Sequence, residues 1–448
     1  MSIVASLKKL KYYEYLSLNR YGYVGFLITG TGLLFIKNFV YAAIMSVNQF
    51  GIYSKYFILS TALASYAGLG IQQLAHKRMP QILFRGHGLA AGYMVLGGVL
   101  IFITTTIITT TGIYAFIWST TENVNSIYGI TVAAVNGLCL FLYTYVLISA
   151  KSELRFGLHG KIMLARATIL LAAGVITAVA SDSGMTVLAV ESISTFGFVV
   201  WWFCVKYPMK DVIRRIRLPR LLRWLRSVSP HASRLLILNG TLLAGIYLDR
   251  WLGAVTLSDT KFGVYSAAAL FLTGYQTLQA VLNVSVYPRM SRLIAHQDIQ
   301  QAFGVAKRIS LFMWAVTIIL YLPCLLIAKY LVLKLWPDYS GIEVLIPVLM
   351  LAGTLRAGDY FGSFCILCNA EMIVARKLMF FYIMAVLAVI VSVIMVDGNI
   401  LKMTIFASLA VSMALITTIV HIFYARKLVA ASIKGSVITD GRDESLLT

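Results

Sequence analysis

Acidic residues are scarce in this chain. Its 448 residues hold 17 Asp and Glu against 38 Lys and Arg, and charged residues of both signs make up only 12%. A soluble domain carries about 25%. With 60% hydrophobic residues and a mean hydropathy of +0.84, that shortage excludes an ordinary water-soluble fold and makes lipid the solvent. Cysteine is also rare. Cys139, Cys204, Cys324, Cys365 and Cys368 all lie in or beside apolar runs. A disulfide framework needs exposed, oxidised loops, so none is expected. Cys365 and Cys368 have C-x-x-C spacing, but no second pair and no nearby His completes a metal site.

Catalytic signatures are missing as well. There is no G-x-x-x-x-G-K-[ST], no H-E-x-x-H and no G-x-S-x-G. No catalytic residue, metal or cofactor is therefore expected, and the chain cannot hydrolyse ATP. A membrane polymerase or ligase would need a large outer loop bearing catalytic groups. The longest such loop, 112–124, offers one acid, Glu122, and no base.

What is present is a series of long apolar runs, each near the about 20 residues that span a bilayer. Twelve are read, at 23–46, 51–74, 88–111, 125–150, 162–181, 185–206, 233–256, 263–287, 309–334, 342–367, 378–396 and 400–424. The first is too long for a signal-peptide core and should be retained. The tight links "SDSG" (181–184) and "VDGN" (396–399) each carry the Asp and Gly of a turn.

The bases are sorted by loop. The N-terminus, 75–87, 151–161, 206–232, 288–308, 368–377 and the C-terminus together hold 28 of the 38, and the alternate loops hold almost none. Positive residues stay in the cytoplasm, which places both termini there, as an even number of spans requires. The densest block, "KYPMKDVIRRIRLPRLLRWLRSVSP" (206–230), interleaves bases with Ile, Leu and Trp. That pattern suits a helix lying on anionic lipid rather than a nucleic-acid surface.

The chain also repeats. "GIYS" (51–54) and "GVYS" (263–266) each open an even-numbered span after a short outer turn, 212 residues apart. The same offset aligns Lys37 with Asp249 and Asn38 with Arg250. The expected fold is an all-α membrane protein of twelve transmembrane helices in two six-helix lobes, related by a pseudo-two-fold along the membrane normal. The lobes would be 1–205 and 233–425, joined by a basic cytoplasmic linker, 206–232, and followed by a polar tail, 426–448.

A charge at mid-bilayer costs at least about 2.5–3.5 kcal/mol, so ionisable residues in spans mark sites. The candidates are Lys37, Lys55, Asp249, Arg250, Lys329, Arg356 and Asp359, with Glu191 and Glu343 nearer the outer ends. Bases outnumber acids five to two among the seven, which suits an anionic substrate. Arg offers a fork to phosphate and Lys a point charge. Lys37 could meet Asp249 across the cleft, and Arg356 and Asp359 could share a helix face. Lys55 and Lys329 can also reach an interface by extending their stems. Pro323 and Pro347 would kink spans nine and ten, and Gly358 and Gly362 give span ten a small-residue face.

The segments "LDRWLGAVTLSDTKFGVYSAAALF" (248–271), "VYPRMSRL" (286–293) and "FGIYSKYFILSTALASYAGLGIQQL" (50–74) resemble the polysaccharide-transporter branch of the multidrug/oligosaccharidyl-lipid/polysaccharide exporter superfamily. Within it the chain is most similar to the O-antigen flippase (Wzx) type. That resemblance implies residence in the bacterial inner membrane and translocation of an undecaprenyl-pyrophosphate-linked oligosaccharide by alternating access. It implies a cationic lumen lined by Lys37, Arg250 and Arg356, with Lys55 and Lys329, and proton or ion coupling through Asp249 or Asp359. The implied partners are the lipid-linked oligosaccharide, membrane lipids, and a polysaccharide polymerase or glycosyltransferases; a monomer is permitted. The first-helix arginines of lipid II flippases are missing here, where Lys37 stands alone. The alternatives are an ion-coupled drug or metabolite exporter of the same architecture, and a scaffold that docks glycosyltransferases.

Overall fold

A computed structural model describes residues 3–84, 88–120, 124–152, 156–206, 217–368, 370–396 and 398–433. The N-terminal half comprises α1 (Ile3–Ile44), α2 (Val47–Tyr66), α3 (Ile71–Phe84), α4 (Gly88–Thr120), α5 (Val124–Ser152), α6 (Phe156–Ser181) and α7 (Gly184–Trp201), which runs on through a π turn, Trp202–Lys206. The C-terminal half comprises α8 (Leu218–Thr256), α9 (Asp259–Ala295), α10 (Ile299–Leu335), α11 (Ile342–Ala357), α12 (Phe361–Leu367), α13 (Glu371–Met395) and α14 (Asn399–Ile433). Among the described residues there is no strand. Lipid offers no partner for backbone N–H and C=O groups, so a chain this apolar satisfies them within helices. Among the described residues fourteen helices make twelve crossings, because α2 with α3 and α11 with α12 are each one crossing with a break.

Ten crossings are long and apolar enough to span a membrane on composition alone; the other two are α2–α3 and α9. Those two carry polar residues along their length: Asn48, Gln49 and Lys55 on one, and Asp259, Thr260, Thr273 and Gln276 on the other. They can do so because they pack against each other where the halves meet, away from lipid. In the N-terminal lobe α1 packs on α6, α2 on α5 and α7, and α5 on α7. In the C-terminal lobe α9 packs on α11, and α14 gathers α11, α13 and α8.

The repeat is visible at the α2–α9 crossing. A β-carbon added at Gly51 would stand 1.8 Å from the carbonyl oxygen of Asp259, and one at Gly263 would stand 2.2 Å from that of Val47. Both Gly51/Gly263 and Val47/Asp259 are separated by 212 residues, so the two contacts are images of each other. The next such pair, Asn48 and Thr260, meets directly, with Thr260 Oγ1 donating to Asn48 Oδ1 at 3.3 Å. The pseudo-two-fold axis passes between these helices. Changing both glycines to Ala should force the helices apart and cost about 1–3 kcal/mol of overpacking. The check is a thermal midpoint in detergent, which should fall; an unaltered midpoint would contradict the crossing.

The end of the bundle opposite the chain termini is sealed. Tyr339 donates to the Ala42 carbonyl at 2.9 Å, and Trp336 stacks on Phe39 with ring centres 5.4 Å apart. Lys55 pairs with Asp259 at 3.2 Å. The "SDSG" link behaves as its composition predicts. Asp182 takes a positive φ of 37° and accepts from the Ser46 backbone N–H, and Ser183 caps α7.

At the other end the lobes are joined by α8. Residues 207–216 of the expected linker lie outside the described residues, as does the tail beyond 433. From Leu218 the linker is helical and continues without interruption, through Pro230, into the first crossing of the C-terminal half. Its first four turns are amphipathic. Leu221, Leu225 and Val228 are buried, while Arg220, Arg223 and Arg226 are exposed. The α2–α3 break lets this helix approach. Gly70 has φ +83°, and a β-carbon there would stand 1.8 Å from the Ala232 carbonyl oxygen.

Candidate functional site

The deep charges fall into three groups, not one. In the N-terminal lobe Lys37 of α1 is 3% exposed and forms an ion pair with Glu191 of α7. Three aromatic rings enclose the ammonium, with those of Tyr41, Phe57 and Tyr53 at 5.0, 5.5 and 5.7 Å. The Tyr53 hydroxyl accepts from Lys37 at 3.1 Å and lies 3.2 Å from Glu191 Oε1, and the Tyr41 hydroxyl lies 2.9 Å from the same oxygen. Arg166 of α6 sits nearby, 4.3 Å over the Tyr143 ring, with its Nε donating to Thr195 one turn beyond Glu191. The expected meeting of Lys37 with Asp249 is not made. Lys37 is neutralised inside its own lobe, because α1 and α7 share that core and α8 lies in the other lobe.

In the C-terminal lobe Asp249 and Arg250 diverge, as adjacent helical residues must. Asp249 is 1% exposed and accepts from Tyr265 at 2.6 Å. This copies the N-terminal lobe: Lys37–Tyr53 and Asp249–Tyr265 are both sixteen residues apart and related by the 212-residue offset. The repeat keeps the tyrosine and reverses the charge. Arg356 of α11 also lies in the field of Asp249. It donates to the carbonyls of Gly245 and Ile246 on α8, at 2.7 and 3.1 Å, and of Ala410 on α14, at 3.3 Å.

Arg250 is different. It points toward α9, where one Nη donates to Thr273 at 3.3 Å, and its Nε has no partner. Ser266, Thr273 and Gln276 recur at helical spacing on that face of α9, and Ser266 Oγ and Gln276 Nε2 are also buried and unpaired. Beside them the guanidinium lies over the Tyr247 ring at 5.4 Å. Tyr247 stacks on Trp251, and Tyr66 of the other lobe meets Trp251 edge-on at 5.7 Å. Trp251 Nε1 is unpaired too. Tyr66 closes one end of an apolar groove of ≈ 480 Å³ between α8 and α13, lined by Gly240, Ala244, Leu248, Tyr382 and Ile383. A cation, aromatic faces, unsatisfied N–H groups and a greasy furrow thus adjoin at the lobe junction. Buried polar atoms without a protein partner are costly, and here three of them adjoin the guanidinium.

The third group is Asp359. Arg356 and Asp359 do not share a helix face as expected, because α11 ends at Ala357. Asp359 lies in the break before α12, where its Oδ2 is 2.6 Å from Nδ1 of His421 on α14. Of the remaining candidates, Lys55 pairs with Asp259 at the sealed end, and Lys329 is exposed on α10 between Ile327 and Tyr330, which are 57% and 56% exposed. Pro323 and Pro347 do fall inside α10 and α11, where Tyr321 donates to the Pro347 carbonyl at 3.0 Å. Cys365 and Cys368 are free thiols, and no metal-ligand cluster occurs among the described residues.

Two six-helix lobes meeting across a two-fold crossing of their second helices can be compared with solved structures. An inward-facing multidrug resistance MATE family transporter of the MOP superfamily matches with a TM-score of 0.60 at 13% identity, over 91% of this chain and 96% of that one. The chain has the fold of a MOP-superfamily transporter. The outward-facing MATE transporter of the same description gives 0.60 at 11% identity, over 92% and 96%. A MOP superfamily transporter from Pyrococcus furiosus, described as having a binding pocket of reverse polarity, gives 0.58 at 12% identity, over 92% and 95%. No family model matches the chain, and no curated protein matches it at a significant level. The likeness to MOP-superfamily structures is one of architecture, that of a multi-pass membrane bundle, and the chemistry must be read from the chain's own residues.

Sequence reasoning missed Glu191 as a partner and His421 altogether. Glu191 is only two turns into α7, which made it look like an interface residue. A signal for both was available: an intramembrane Lys or Asp demands a counter-charge in another apolar run.

Proposed function

We propose that the protein is a flippase that carries an undecaprenyl-pyrophosphate-linked oligosaccharide, such as an O-antigen repeat unit, from the inner to the outer leaflet by alternating access. The observation that carries this reading is Arg250, a buried guanidinium with an unused N–H at the lobe junction, backed by Tyr247, Trp251 and Tyr66. A guanidinium forks onto phosphate, and aromatic faces stack on sugar rings. The groove beside Tyr66 gives a prenyl chain an apolar path that touches the same tyrosine. The charges on which the termini-bearing end is built then face the cytoplasm. With the opposite end sealed, this is the state that loads from inside.

Lys37 and Arg356 have other work in this scheme. The first is cancelled by Glu191, and the second is spent on carbonyls. Of the three, Arg250 is the one with an N–H left unpaired among the described residues.

Complementation of a flippase-null strain tests the reading. Surface polysaccharide should return with the wild-type chain and fall about 10- to 100-fold with Arg250→Ala, the equivalent of about 1.5–3 kcal/mol for a charged hydrogen bond. Normal surface polysaccharide with Arg250→Ala would refute it. The multidrug neighbours favour a second reading, ion-coupled export of a drug or metabolite. Drug resistance on expression with no change in surface polysaccharide would select that one.

A further inference from the structure

The α9 helix carries more polarity than its packing uses. Ser266, Thr273, Gln276 and Asn283 follow one another at steps of seven, three and seven residues. They therefore keep to one side of the helix over about 26 Å, at 1.5 Å per residue. Ser266 is 7% exposed, and its Oγ has no hydrogen-bond partner among the described residues. The same holds for Gln276 Nε2 and Asn283 Oδ1, both on half-buried residues. Thr273 donates to the Ala269 carbonyl at 3.0 Å and accepts from Arg250, so the guanidinium meets this stripe part-way along its length.

The other half of the chain lacks most of the stripe. At the 212-residue offset Ser266 and Thr273 correspond to Ser54 and Thr61. Gln276, however, corresponds to Ala64, Asn283 to Ile71, and Arg250 to Asn38. Ala64 and Ile71 are buried among apolar neighbours. The repeat therefore folds without amides at these positions, and the C-terminal half carries them on the helix that Arg250 faces.

Building on the flippase reading, we infer that this stripe is the wall on which the cleft reads sugars, and that the glycan it accepts is electrically neutral. The head of the carrier places its phosphates at Arg250 and its sugar rings against the stripe. Each side chain of the stripe matches a sugar's own groups. A hydroxyl both donates and accepts, as Ser and Thr do. A carboxamide sets N–H donors beside an acceptor oxygen, which suits two neighbouring hydroxyls or the acetamido group of an N-acetylated sugar. The open atoms are of all three kinds: a hydroxyl at Ser266, a donor at Gln276 and an acceptor at Asn283.

A charged sugar finds no partner on this wall. A hexuronic acid would bring a carboxylate to a half-buried surface, where an ion without a counter-charge is costly. The cations of the neighbouring helices are engaged. Lys37 of α1 pairs with Glu191, Lys55 of α2 pairs with Asp259 at the sealed end, and Arg356 of α11 holds three carbonyls. The acids are engaged too, so an amino sugar's ammonium fares no better: Asp249 accepts from Tyr265, and Asp359 meets His421. Arg289 and Arg292, the next bases on α9, are exposed beyond the cytoplasmic end of the stripe. Arg250 serves the phosphates, which are anionic whatever sugars follow.

The test uses the full chain in nanodiscs and native mass spectrometry with three probes. These are a prenyl diphosphate linked to two N-acetylhexosamines, the same lipid with a hexuronic acid as its second sugar, and the bare prenyl diphosphate. The neutral glycolipid should bind at least about 10-fold more tightly than the acidic one. Gln276→Ala and Asn283→Ala should each weaken the neutral probe about 3- to 10-fold, the loss of one hydrogen bond, and leave the bare diphosphate unchanged. Gln276→Lys should close or reverse the gap by giving the carboxylate a partner. Equal affinities for the two glycolipids, or a preference that Gln276→Lys does not move, would overturn the inference. Alanine variants that weaken all three probes alike would mark the residues as structural and overturn it as well. A neutral preference in a chain that fails complementation would instead sink the flippase reading and leave the sugar-binding wall standing.

Discussion

Lys37→Met should destabilise the protein by about 3–5 kcal/mol, the cost of stranding one member of a buried ion pair. Glu191, 3% exposed, would lose its counter-charge and be left to the Tyr41 and Tyr53 hydroxyls. Glu191→Gln should cost nearly as much, because the ammonium would be left among three rings facing a neutral amide. The double variant, Lys37→Met with Glu191→Gln, should recover most of the loss. The new amide's oxygen can still accept from both tyrosines, and the thioether side chain fills the space of the lysine stem among apolar neighbours. Thermal unfolding of the four proteins in one detergent measures the coupling, which should exceed about 2 kcal/mol, within the range seen for directly interacting residues. Additive single effects would mean that the two charges do not depend on each other.

A second large effect is expected at Arg356. Its guanidinium spans two helices, and Asp249, 1% exposed, shares its field. Arg356→Ala removes three donors and the cation that balances Asp249, for about 3–5 kcal/mol. Arg356→Lys should rescue little, since one ammonium cannot stand both where Nη2 bonds Gly245 and Ala410 and where Nη1 bonds Ile246. Asp249→Asn placed on top of Arg356→Ala should restore part of the stability. Failure of Asp249→Asn to restore any would show that the carbonyl bonds, and not the charge, are what Arg356 supplies.

Much of the architecture was legible because it depends on periodicity and length. Twelve crossings, the sorting of bases by loop and the 212-residue offset are properties of the sequence alone. The same offset relates the two sides of the Gly51–Gly263 crossing and the Lys37–Tyr53 and Asp249–Tyr265 pairs, contacts that the sequence reading did not name. The partners of the deep charges were not legible. Which side chain meets Lys37 depends on how α1 and α7 are rotated about their axes, and rotation leaves no mark in an apolar run where every face is greasy. The stop at Gly358 was equally hidden. Gly358 and Gly362 read as a helix-packing face, whereas one abuts Trp314 of α10 and the other His421 of α14 across a break. His421 has no periodic pattern of its own; its one signal was that Asp359, within an apolar run, needs a partner in another.

The continuity of α8 limits how the halves can part. One rod lies against α3 and α4 over its early turns and threads the opposite lobe over its later ones. Separation at that end must therefore either peel the rod from its first bed or crease it. A crease has a ready place, because Pro230 brings no N–H to the Arg226 carbonyl, which instead accepts from the Ser229 hydroxyl at 3.1 Å. The two lobes are not loose jaws on a flexible string: they share a stiff strap with one notch in it.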